Sequence, residues 1–196
     1  MPVMSAIEGA FCRSAPWRAF ARRAVLPWAL GAEELTGDVL EIGSGGGDMA
    51  DGMTQLFPDV RLTVTDMDDD MVASARRRVE RHENAIVEQA DVTALHYDDA
   101  SFDAVTSYLM LHHVIAWREA LLEVARVLRP GGLLLGYDLT NTRAARLTHR
   151  LDGSPHLILS GLELREGMEA AGFTAIVIRS GAAGHVMRFR AERAAI

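Results

Sequence analysis

The stretch VLEIGSGGGD, residues 39–48, constrains this chain more than any other: an apolar run ends in four glycines within five positions. Apolar, branched residues followed by a glycine turn read as a buried strand that must pass quickly into its next element. From there the chain keeps alternating. DMADGMTQLF (48–57) reads as a helix with Asp48 as N-cap. DVRLTVTD (59–66) reads as a second strand, and DMVASARRRVERHE (70–83) as a helix with Asp69 or Asp70 near its start. NAIVEQAD (84–91) and FDAVTSYLM (102–110) are strands three and four. AWREALLEVARVLRP (116–130) is a helix stopped by Pro130 and the Gly131-Gly132 turn, and LLLGYDL (133–139) is strand five. GLELREGMEAAG (161–172) is a helix with Gly172 at its C-terminal end, and FTAIVIRS and HVMRFRAE are the last two strands.

Strands that alternate with helices require crossovers and give a mostly parallel sheet covered on both faces. Only GAAG (181–184) separates the last two strands. That link is too short for a parallel crossover, so they pair antiparallel. The expectation is a seven-stranded α/β sheet with one reversed strand.

In such a sheet ligands sit outside the carboxyl ends of the strands, where strand order reverses. The glycines after strand one permit positive φ and a close approach to the main chain. Their spacing separates ligand classes. A dinucleotide fingerprint, G-x-G-x-x-G, counted from Gly43 and Gly45 would end on Asp48, and an acid there repels pyrophosphate. A P-loop is excluded because no Lys-Ser/Thr pair follows. The pattern present is E-x-G-x-G-x-G, from Glu41 to Gly47. It suits a ligand without phosphates, and its acids favour a cationic one.

Strand two ends at Asp66, about 20 residues past the glycine loop, where a carboxylate can accept from both hydroxyls of a ribose. Strand three ends at Asp91, which can accept from an exocyclic amine, while Val92 and Met67 offer apolar faces to a base.

These stretches together resemble the class I S-adenosylmethionine-dependent methyltransferases, over roughly residues 38–139. VLEIGSGGGD resembles the family's first motif, TVTDMDDDM its acidic second and QADVTAL its adenine-side third. SFDAVTSYLMLHHV resembles the fourth-strand segment. ALLEVARVLRPGGLLLGYD resembles the helix and strand that follow, and its LRPGG stop points to the small-molecule branch. The resemblance implies a Rossmann-like sheet in the order 3-2-1-4-5-7-6, with strand seven antiparallel and helices on both faces. It implies S-adenosyl-L-methionine as cofactor and S-adenosyl-L-homocysteine as product. The cofactor set it implies is Glu41, Gly43, Ser44, Gly45, Gly47, Asp66, Met67, Asp91, Val92 and Tyr108. The glycines would pass the methionine part, Asp66 would hold the ribose, and Tyr108 would lie near the sulfonium. His112, His113 and Tyr108 are the candidate catalytic groups, a histidine as base and Tyr108 as a contact.

Other chemistries fit less well. Counted from Asp66, a calcium loop would need Gly at position 71 and Glu at position 77, where Met71 and Arg77 stand. No metal is expected. The Asn/Asp-Pro-Pro turn of base amino-methylation is replaced by SYLM, and Cys12, the one cysteine, is far from the segment a cytosine methyltransferase would use. A net charge of −7 argues against a nucleic-acid partner, and the basic run ARRRVERHE reads as a solvated helix face. The acceptor expected is a small molecule. A single thiol, no apolar run of membrane length and no signal-peptide core give a cytoplasmic expectation. A cofactor binder without transferase activity stays open as an alternative, and an NAD-dependent oxidoreductase is disfavoured by the glycine spacing.

The 196 residues suit one domain: an N-terminal helical lid segment (1–34), a cofactor core (37–139) and a substrate-side segment with the last strands (140–196). SAPWRAFARRAVLPWAL (14–30) reads as helix interrupted at Pro16 and Pro27, with Phe20, Ala24 and Trp28 as its apolar stripe. Arg13, Trp17, Arg18, His149, Arg150 and His156 are candidate substrate contacts, and Arg13 or Arg18 could meet the cofactor's carboxylate.

Overall fold

Seven strands make up the sheet of this computed structural model, which describes residues 20–143 and 156–195. They are β1 (Asp38–Ile42), β2 (Arg61–Asp66), β3 (Ala85–Gln89), β4 (Phe102–Tyr108), β5 (Leu128–Leu139), β6 (Phe173–Gly181) and β7 (Val186–Arg193). The helices are α1 (Leu26–Leu30), α2 (Asp48–Leu56), α3 (Asp69–Val79), α4 (Trp117–Val127) and α5 (Gly161–Ala170). Strand order is β3-β2-β1-β4-β5-β7-β6. The strands from β3 to β5 pair in parallel, and β7 runs antiparallel to both β5 and β6. Order and reversed strand agree with the sequence expectation.

Alternation along β1 divides the core. Leu40 and Ile42 face the side covered by α4 and α5, with Trp117, Leu121, Leu164 and Met168. Val39 faces the other side, with Leu26 of α1, Met49 and Met53 of α2 and Ala75 of α3. Period-two geometry puts Glu41 on that second face, among apolar neighbours. At one outer edge, β3 leaves Ile86 55% exposed.

Four local expectations are corrected. Of the expected apolar stripe of the N-terminal segment, Phe20, Ala24 and Trp28, only Trp28 packs against the core. Phe20 is 55% exposed, and the buried residues are Ala21, Leu26, Ala29 and Leu30. A π-helical turn over Ala21–Val25 adds a residue to the turn and rotates the buried face. Pro27 does not interrupt this segment but sits in the first turn of α1, where its missing N–H costs no helical bond. Asp48 is not an N-cap. Gly47 holds that position at φ +79, and Asp48 is the first helical residue, paired with Arg78 of α3. Helix α4 stops at Val127, before Pro130, and β5 already runs through the Arg129-Pro130-Gly131-Gly132 turn. Phe102 faces Leu128 whereas Ala104 faces Leu133, so this turn is a bulge where proline's missing donor does no harm.

Two caps went unread in the sequence, whereas Gly172 was expected where it stands. Asp68 caps α3, its Oδ1 accepting from the Asp70 and Met71 N–H groups at 2.9 and 3.1 Å. Ser160 and Glu163 form a capping box on α5, and Gly172 follows that helix at φ +89. The first helix is fastened to the far strands. Arg188 donates to the Trp28 carbonyl at 2.7 Å, Arg190 pairs with Glu33 at 2.7 Å, and Trp28 meets the Tyr137 ring edge-on at 5.8 Å. Pro16, Cys12, Arg13, Trp17, Arg18, His149 and Arg150 lie outside the described residues.

Candidate active site

The glycines after β1 serve three different neighbours. Gly43, Gly45 and Gly47 all have positive φ, at +62, +54 and +79. A Cβ on Gly43 would collide with the Met110 side chain, and one on Gly47 would come within 2.9 Å of the Ala75 backbone. One on Gly46 would touch the Ser74 hydroxyl at 3.4 Å. A Cβ on Gly45 would meet nothing within 4 Å. So Gly43 makes room for the chain's own segment after β4 and Gly47 lets α3 approach the loop. Of these four, a Cβ on Gly45 alone would project into open space. Gly43→Ala should therefore destabilise the fold by about 1–3 kcal/mol, because both the φ and the collision are unfavourable. Denaturant unfolding reads it, and an unchanged midpoint would refute the reading.

That open space is a cavity of about 330 Å³ at the carboxyl ends of the parallel strands. Gly43, Gly45, Asp66, Met67, Asp68 and Asp69 line it together with the apolar Val92, Leu109, Met110 and Val114 and with His113. Asp66 is the fixed polar group. Its Oδ2 accepts from the Gly45 N–H at 2.8 Å and its Oδ1 from the Asp68 N–H at 2.9 Å. Burial raises its pKa although these bonds oppose the rise. The Ser44 N–H donates to the Thr65 carbonyl at 2.9 Å, which ties the loop to β2.

The other sequence candidates divide between the cavity and its surroundings. Met67, Val92 and His113 join Gly43, Gly45 and Asp66 at the wall. Asp91 does not line it. Its Oδ1 accepts from the Thr93 N–H and hydroxyl at 2.9 and 2.7 Å, a local turn that presents Val92. Ser44 and Gly47 belong to the loop but not to the wall. Tyr108 is buried behind the wall, its hydroxyl 3.5 Å from the Met53 sulfur and its ring 6.0 Å from that of Tyr137. Burial, with Glu41 nearby, lifts its phenol well above the usual range. Glu41 is 1% exposed, and neither carboxyl oxygen has a hydrogen-bond partner among the described residues. Desolvation first, then the charges of Asp48 and Asp66, pushes its pKa up to about 8.

His112 and His113 stack, with ring centres 4.0 Å apart, but point to different tasks. His113 lines the cavity. His112 is buried against Asp138 at the end of β5, Nδ1 to Oδ1 at 2.5 Å. Asp138 also accepts from the His112 and Leu139 backbone N–H groups at 3.1 and 2.6 Å. The His112 carbonyl accepts from the Leu157 N–H at 2.8 Å.

Sequence reading missed Asp138, though the strand-end logic that found Asp66 and Asp91 applies equally to the YDL that closes β5. It also missed Leu109, at φ +52, and Met110, which that turn carries across Gly43. No local signal marks either. His156 lies at the re-entry of the described chain and does not line the cavity. Among the described residues no three His, Cys, Asp or Glu side chains cluster as a metal site, and no helix is long and apolar enough to cross a membrane.

An adenosyl ligand fits this wall on two observations. A carboxylate with spare lone pairs stands beside an open glycine, and apolar side chains from three loops line the same cavity. Sheet order and cavity position thus define a Rossmann-like cofactor-binding domain of the methyltransferase type. The family described as "Methyltransferase domain" matches residues 40–136. The chain belongs, through this domain, to the class I S-adenosylmethionine-dependent methyltransferases.

Among curated proteins, the ubiquinone/menaquinone biosynthesis C-methyltransferase UbiE of Paracoccus denitrificans is 36% identical over 100 residues, covering 50% of this chain and 40% of its own. The fatty-acid O-methyltransferase of Mycolicibacterium smegmatis is 38% identical over 102 residues, covering 51% and 36%. The chain thus spans well under two thirds of these relatives. A chain from the complex of the Haloferax volcanii Trm112 methyltransferase activator with a methyltransferase shares the fold at TM-score 0.82 and 17% identity, covering 98% of this chain and 99% of its own.

Proposed function

We propose that the chain transfers a methyl group from S-adenosylmethionine to an O, N or C nucleophile of a small, largely apolar acceptor. The observation that carries this is the cavity where Gly45 and Asp66 face apolar side chains at the strand ends. The cofactor supplies, when bound, an electrophilic methyl on a sulfonium. The chain's residues supply position and dryness. Asp66 would hold the ribose diol, Met67 and Val92 would pack on the base, and Gly45 would give the loop's closest approach. Leu109, Met110 and Val114 would keep water from the reacting end. The relatives' printed names include a quinone-pathway C-methyltransferase and a fatty-acid O-methyltransferase, which favours an apolar acceptor without choosing the atom.

His113 brings an imidazole to the wall, and we assign it the base where the acceptor needs one. Tyr108 is unsuited to that task, since its phenol stays protonated. The N-terminal segment up to residue 34 is assigned as a cover, and residues 140–196 as the substrate side, within one domain.

Calorimetry with S-adenosylhomocysteine, alongside labelled-methyl transfer to quinols, phenols and fatty acids, tests the reading. Asp66→Ala should weaken binding by about 1–3 kcal/mol, the cost of losing hydrogen bonds to a charged group. Unchanged affinity would remove Asp66 from the site. Absence of binding by the unaltered chain would overturn the whole reading.

A further inference from the structure

The basic run on α3 does more than face solvent. Arg77, Arg78 and Arg81, with Arg22 from the π-helical turn, line a crevice of about 400 Å³ whose floor includes Asp48 and Asp51 of α2. No residue lines both this crevice and the cavity at the strand ends.

The charges are layered. Asp51 is saturated from within: it accepts from Arg22 at 2.7 Å, from Arg81 at 2.6 Å, and meets His82 Nε2 at 2.9 Å. Its side chain is 6% exposed, against 38% for Arg22 and 63% for Arg81. Asp48, 15% exposed, is likewise covered by Arg78. The carboxylates therefore lie beneath, and the guanidinium groups form the rim. Four guanidinium charges stand over two carboxylates, an excess of two positive charges on a chain whose formal net charge is −7.

Two donors there are unspent. The Arg78 Nε is buried with no hydrogen-bond partner, and Arg77 is an exposed residue without an ion-pair partner among the described residues. The Ser74 hydroxyl adds a further group at the wall. Guanidinium forks already fixed by carboxylates lose little freedom when they bind a second anion, and their geometry matches tetrahedral oxyanions.

We propose that this crevice is a binding site for a phosphate-bearing small molecule, held by the rim of Arg22, Arg77, Arg78 and Arg81. The inference does not depend on methyl transfer. Its volume and its mixture of acids with arginines favour a compact ligand over a polynucleotide, which needs an extended basic face.

The test is calorimetric titration of the full chain with sodium pyrophosphate, with and without saturating S-adenosylhomocysteine. Saturable binding is expected, equal in both conditions and weaker at high salt. Arg77→Glu should weaken it by at least about tenfold, since it removes a charge-assisted donor and adds repulsion. Arg77→Ala, which disturbs no ion pair, should weaken it in the same direction with an unchanged thermal midpoint. Absence of saturable heat in the millimolar range would overturn the proposal, as would an affinity unchanged from the parent in both variants. Displacement of pyrophosphate by S-adenosylhomocysteine would move the anion to the other cavity and also overturn it. Tighter binding of a single-stranded oligonucleotide than of pyrophosphate would reassign the crevice to nucleic acid.

Discussion

The ligand-free protein should lose thermal stability as pH rises from about 5 to about 8, and Glu41→Gln should flatten that slope. Glu41 is buried on the α1–α3 face of the sheet, and desolvation raises its pKa from 4.5 to about 8. Between those values the folded protein holds a proton that the unfolded chain has lost. The stabilisation is thus complete below 4.5 and disappears as pH rises through about 8. Asp66 is shifted in the same direction, so part of the slope should survive in the variant. Glutamine has nearly the same shape and no charge at any pH. The variant should unfold at a higher temperature than the parent near pH 8 and at a similar one near pH 5. Parallel curves for the two proteins would show that Glu41 titrates normally in the fold.

Asp138→Ala should cost about 3–5 kcal/mol of stability, because it takes the shared acceptor away from three buried donors at about 1–3 kcal/mol each. Asp138 accepts from the His112 ring and from two backbone N–H groups, and neither side chain reaches solvent. A carboxylate can only accept, so His112 Nδ1 carries the hydrogen. Alanine would strand three donors in a site too small for water to replace the carboxylate fully. For a chain of this size that loss lowers the thermal midpoint by roughly 6–20 °C. Asp138→Asn, which keeps one acceptor oxygen, should fall between. Differential scanning calorimetry separates the three proteins, and a loss below about 1 kcal/mol in the alanine variant would mean that the buried pair is not formed.

Much of the scaffold could be read directly because its signals are local. Each parallel strand is a short apolar run, each crossover has a periodic helix, and the four-residue link before β7 admits only a hairpin. Asp66 and Gly45 were legible for the same reason: they stand at fixed offsets from the end of a strand. What escaped depends on distant partners. Gly43 does line the cavity, but the side chain it makes room for is Met110, far along the chain. Asp48 looks like a cap until Arg78 claims its carboxylate. Asp91 turns back on Thr93 and leaves the wall to Val92. Pro130 looks like a helix stop, but the helix has already ended and the proline sits in a bulge that only pairing with β4 reveals. The stripe on the first helix shifted because a π-helical turn has no simple sequence mark.

Among the described residues, strand β3 ends the sheet with an unpaired edge and an exposed isoleucine, Ile86. A net charge of −7 makes molecules repel one another and so opposes the docking of two such edges. Acid that protonates Glu41 and tightens the fold also strips away that repulsion. The conditions in which a single molecule is hardest to unfold are therefore those in which many molecules most readily stick, and long-term storage belongs on the alkaline side despite the softer interior.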